Sequence, residues 1–135
     1  MKLMEPGLVD LLVQPAFHTN VRIVLLVFSE SAQLEVQVRG DSLSANIPHV
    51  LATALFREAL STIHKTAYRR PGLDGISIEL RVKTDSGPSI NLTSWSPGRG
   101  SQCAHLVRTL FEQALQLPRG NQFEKAFKDA QAYFH

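Results

Sequence analysis

The residues best suited to chemistry are five histidines, one cysteine and one glycine-bearing loop. The histidines stand at His18, His49, His64, His105 and His135. They form no HxxxH, HxH or HExxH spacing, and none has a cysteine or acid at ligand spacing, so no metal is expected. His49 and His105 fall near the starts of two similar helices, where a pseudo-symmetric fold could bring them together. Surface or capping positions explain them more simply. No GxSxG elbow is present, and Cys103 has no visible His–acid pair to make it a nucleophile. A thiol near a helix start can have a lowered pKa, but a small cysteine in a core accounts for Cys103 as well. Paired carboxylates for hydrolysis are also missing. The chain is therefore not expected to be an enzyme, and no cofactor and no catalytic residue is assigned.

The remaining polar positions suit contact better than catalysis. Trp95-Ser96-Pro97-Gly98-Arg99-Gly100-Ser101 precedes a helix, an arrangement that lets backbone approach an anion, yet it matches neither GxGxxG nor GxxxxGK[ST]. Trp95 has the size and rigidity of an interface anchor. The alternating segments place Arg22, Glu35, Gln37, Arg39, Glu79, Arg81 and Lys83 on an outward face of mixed sign. Partner-contact candidates are accordingly Trp95, Arg99, Arg39, Glu79 and Arg81. An RNA-binding sheet needs exposed stacking aromatics, and only Phe28 and Trp95 could serve, so nucleic acid is not an expected partner.

Composition bounds these readings. The chain has 135 residues, 44% of them hydrophobic and 19% charged, with a formal net charge of +2. That length suits one domain, residues 1–135, and the balance excludes a disordered or collagen-like chain. Fourteen Lys and Arg against twelve Asp and Glu form no basic stripe of the kind phosphate backbones select. A single cysteine cannot form an internal disulfide, and the start, with Glu5 and Pro6, lacks the apolar core of a signal peptide. No apolar run approaches the roughly 20 residues of a membrane span. A cytoplasmic protein without membrane contact is expected.

Elements to position these residues emerge when the chain is shifted by 55 residues, which lays Val21, Ile23, Leu25 and Val27 on Ile76, Ile78, Leu80 and Val82. The same shift lays Leu51–Leu60 on Leu106–Leu115, with five of ten positions identical. Self-similarity at a fixed period predicts a repeated unit, here strand–turn–strand–loop–helix over residues 21–60 and 76–115. The expected fold class is α+β: an antiparallel sheet of two ββα units, about four strands, with helices packed on it. A short N-terminal helix through Leu8, Val9, Leu11 and Leu12 is expected to end before Pro15. Tyr68-Arg69-Arg70-Pro71-Gly72 reads as the stop of the first helix. A longer C-terminal helix over 121–134 carries Phe123, Ala126, Phe127, Ala130 and Phe134 as its apolar stripe. Val24, Leu26 and Phe28 fall on the outward side of their strand, and a terminal helix is expected to cover them, with a partner or dimer contact as the alternative.

The two hairpin-then-helix units, Val21 to Leu60 and Ile76 to Leu115, in a chain without catalytic motifs give a layout that resembles bacterial immunity proteins of contact-dependent and polymorphic toxin systems. The resemblance covers most of the chain and lies in architecture, so no individual residue is carried over. It implies a protein-binding module that inhibits a cognate toxin by occluding its active site. Homodimeric secretion chaperones are similar in size and in mixing strands with terminal helices. They imply the alternative, a dimeric chaperone or adaptor for a secreted client, and a small enzyme or RNA-binding domain stands behind both.

Overall fold

A computed structural model describes residues 7–66, 75–84 and 87–134. Six strands, β1 (Gly7–Pro15), β2 (Val21–Val27), β3 (Ala32–Val38), β4 (Asp41–Asn46), β5 (Ile76–Thr84) and β6 (Ile90–Trp95), form one antiparallel sheet in the order β4-β3-β2-β1-β5-β6. The helices are α1 (His49–Lys65), α2 (Gln102–Leu115) and α3 (Glu124–Gln131), the last entered through a 3-10 turn at Gly120–Phe123. The α+β class therefore holds, with six strands where about four were expected.

Strict alternation decides which way each strand faces. Val9, Leu11 and Val13 of β1, Ile23 and Leu25 of β2, Leu34 and Val36 of β3, and Ile78 and Leu80 of β5 are all at most 1% exposed. They meet the helix stripes Ala52, Leu55, Phe56 and Ala59 of α1 and Leu106, Val107, Leu110 and Phe111 of α2 in a single apolar cluster. Phe127 of α3 stacks on Phe111 at 4.4 Å between ring centroids, with Phe123 tilted beside it. Arg119, with φ 65 in the left-handed region, leads into the 3-10 turn after α2. The chain then turns so tightly at Gly120 that a Cβ there would run into the Ala114 carbonyl.

Four expectations need correction. Leu8 to Leu12 is a strand and not a helix. Leu8, Leu11 and Leu12 fit helical spacing while Val9, Leu11 and Val13 fit strand spacing, and pairing with β2 on one side and β5 on the other decides between them. The segment before α1 is not a loop. The two-residue turn Arg39-Gly40 folds the Ser-rich β4 back onto β3, so the first unit is βββα. The terminal helix does not cover Val24, Leu26 and Phe28, because α3 lies with α1 and α2 on the inner side.

The fourth correction concerns the repeat. β2 and β5 flank β1 on opposite sides, both antiparallel to it, and therefore run the same way. β3 lies beyond β2 and β6 beyond β5, so with the same face inward one hairpin turns left and the other right. No rotation lays residues 21–60 on 76–115. The matched positions Leu55/Leu110, Phe56/Phe111 and Ala59/Ala114 are all buried, so shared core patterning accounts for the similarity. The proposed stop signal at 68–72 lies outside the described residues.

Candidate protein-binding face

Because all three helices pack on one side, the other side of the sheet carries no covering element among the described residues. It is built from the alternate positions: Leu8, Asp10 and Leu12 on β1, Arg22, Val24 and Leu26 on β2, Gln33, Glu35 and Gln37 on β3, and Glu79, Arg81 and Lys83 on β5. The apolar members Leu8, Leu12, Val24 and Leu26 are half-buried and sit on the two central strands. Polar and charged side chains surround them, the apolar-centre and polar-rim order of protein interfaces.

The electrostatic centre of this face is Asp10. Arg22 donates to it through Nε at 3.0 Å and Nη2 at 2.6 Å, a bidentate fork, while Arg81 Nη2 approaches from the other side at 3.3 Å. The strand register makes this inevitable, since Asp10 lies directly opposite Arg81 and one outward position from Arg22 on β2. The Asp10 hydrogen bond, and then its charge, raise the Arg22 guanidinium above its ordinary pKa. A shallow depression of about 270 Å³ opens here, lined by Asp10, Leu12, Arg22, Glu79, Arg81 and Thr93 among others.

Four of the five contact candidates reach this side of the molecule. Glu79 and Arg81 stand on its β5 column. Trp95 ends β6 at an outward position opposite Ser77, its ring against Gly75, whose φ of 147 and lack of Cβ permit that approach. Arg39 occupies the β3–β4 turn with φ 57 and donates from Nε to Thr19 Oγ1 at 3.1 Å, at the rim beside Arg22 and Gln37. Arg99 is elsewhere. Its carbonyl accepts from Arg108 on α2, and it lines a separate hollow with Phe134 on the helical side.

Among the described residues, the groups of chemical interest do not converge. His18 shares a 2.7 Å hydrogen bond with the Tyr133 hydroxyl. His49 faces the Phe28 carbonyl at 2.8 Å, and His105 faces Glu58 at 3.4 Å, so the two helix-start histidines have separate partners. Burial pushes the Cys103 thiol up to about 11, offset in part by a hydrogen bond with Ser94. That is the wrong direction for a nucleophile. Asp10 was missed in the sequence because β1 read as a helix; the alternation of Val9, Leu11 and Val13 was the signal that places it outward. Phe17, 75% exposed at the β1–β2 turn, is another surface aromatic that no pattern singled out. Comparison with protein-family models, curated proteins and solved structures gives no match to this chain.

Proposed function

We propose that this chain is a protein-binding module and that the outward face of its sheet is the contact surface. One observation carries the proposal: the helices stack on a single side, leaving half-buried Leu8, Leu12, Val24 and Leu26 ringed by charges on the other. A solvated sheet face is stable with polar residues alone, so four apolar side chains at its centre favour an occupant. A rigid, pre-paired surface loses little conformational entropy on binding, which suits an inhibitor or a stable assembly.

Two versions of the module differ in what sits on the face. In an immunity protein it would be a toxin, held so that its active site is blocked. In a homodimeric chaperone or adaptor it would be a second copy, and the placement of Glu35 on β3 and Arg81 on β5 in one row, equally far from the sheet centre, favours that version. Neither version calls for a cofactor or nucleic acid. A photo-crosslinking residue placed at Leu26, compared with one at Arg119 on the helical side, tests the surface. Protein adducts at position 26 but not at 119 are expected in cells producing the chain. Equal adducts at both positions, or none at 26, would overturn the proposal.

A further inference from the structure

The strand register arranges the outward residues in rows running across the sheet. Gln33, Leu26, Leu8 and Lys83 form one row, and Glu35, Val24, Asp10 and Arg81 the next. Gln37, Arg22, Leu12 and Glu79 form the third. Acids Asp10, Glu35 and Glu79 balance bases Arg22, Arg81 and Lys83, so this face has no bias toward a strongly charged partner.

One opposite-charge pair, Glu35 and Arg81, is self-complementary about one axis. β1 and β2 are the central pair of the six strands. Consider a two-fold axis lying between two facing sheets, parallel to the strands and over the β1–β2 seam. It sets β1 over the partner's β2, and β5 over the partner's β3. Leu8 then meets the partner's Leu26, and Arg81 meets the partner's Glu35, each twice by symmetry. An axis turned across the strands instead stacks Asp10, Glu35 and Arg81 each on its own copy, which like-charge repulsion opposes. Sheets packed face to face keep their strands within about 30° of each other at a spacing of about 10 Å, so long Arg and Glu side chains span the gap. Strands about 4.8 Å apart and outward rows about 6.8 Å apart give these four strands on the order of 400 Å², and on the order of 600 Å² once β4 and β6 are included. That approaches the roughly 800 Å² each partner contributes to a standard interface.

We infer that the outward face seats a second copy of this chain, forming a two-fold dimer in which two sheets close into a sandwich. This rests on the proposal that the face is the contact surface, and it names the occupant. Glu35 and Arg81 then fix the orientation and the two Leu8–Leu26 pairs supply the buried apolar contact, while Val24 faces the partner's Asp10 and Leu12 the partner's Arg22.

Sedimentation equilibrium on the full chain at up to about 100 μM tests it, since a weaker association falls outside the useful affinity range. A dimer is expected, and Leu26→Asp should weaken it at least about 100-fold with the circular dichroism spectrum unchanged, because position 26 points away from the helices. Glu35→Arg and Arg81→Glu should each weaken self-association about 10-fold or more. Mixing those two variants should restore the dimer, because each altered side chain then faces its opposite charge and the remaining native pair is intact. Failure of the mixture to recover, or a dimer indifferent to Leu26→Asp, would overturn the assignment. A monomer that still forms adducts with another protein at position 26 overturns the dimer and leaves the binding face standing. A monomer without such adducts overturns both.

Discussion

Replacing Phe127 with alanine should cost about 4 kcal/mol of stability. Phe127 is 1% exposed and lies face to face with Phe111 at an interplanar angle of 8°, so truncation removes a ring from the middle of the helix layer. Buried Phe→Ala changes cost about 3–5 kcal/mol, which includes the transfer free energy, the residual cavity and the lost ring stacking. Unfolding entropy of about 2.1 cal/mol/K per residue gives about 280 cal/mol/K for 135 residues, so 4 kcal/mol lowers the melting temperature by about 14 °C. Phe127→Leu keeps most of the volume and should cost no more than about 1.5 kcal/mol, or about 5 °C. Thermal melts and urea titrations of the three proteins, with unchanged urea slopes, provide the measurement. A Phe127→Ala loss below about 1 kcal/mol would refute the seating of α3 on α2. The covered side of the sheet would then have to be redrawn.

Three further outcomes follow from single side chains. Thr53 Oγ1 is buried without a hydrogen-bond partner among the described residues, so Thr53→Val should raise stability by about 1 kcal/mol in the same denaturation assay. Cys103 has its pKa raised from 9.0 to about 11 in the fold, mainly by burial, so the folded state keeps its proton where the unfolded state loses it. The resulting stability is complete below pH 9 and is lost as pH rises toward 11, roughly 2–3 kcal/mol in all; Cys103→Ala should flatten that alkaline decline, and an unaltered decline would refute the link. Arg39 holds a left-handed φ of 57 that costs a side-chain-bearing residue about 1–2 kcal/mol, partly offset by its bond to Thr19. Arg39→Gly should therefore raise the melting temperature by about 2–4 °C, and a fall would show that the side-chain bond outweighs the strain.

Where hydrophobic periodicity was unambiguous, the sequence foretold the element. β2, β3, β5, the stripes of α1 and α2, and the phenylalanine face of the C-terminal helix could all be read directly. β1 could not, because two leucine spacings overlap and only pairing with strands distant in sequence resolves them. β4 was hidden for the opposite reason: Asp41, Ser42, Ser44 and Asn46 have weak strand preference, and a hairpin turn holds them in place. The apparent duplication misled because two helices pressing on one sheet are selected for the same apolar stripe. Of the contact candidates, Glu79 and Arg81 followed from alternation alone. Asp10, the charge that organises them, depended on β1.

The placement of β1 also shapes how the protein is made. It is synthesised before the other five strands and can pair with β2 almost at once, yet its other neighbour, β5, begins at Ile76. For the intervening stretch of synthesis a long apolar strand edge waits for its mate, the kind of exposure that recruits chaperones or promotes aggregation. Closure of the β1–β5 ladder is a late, long-range event. Slowed translation between β4 and β5 should therefore harm the yield of folded protein more than an equal delay after β6.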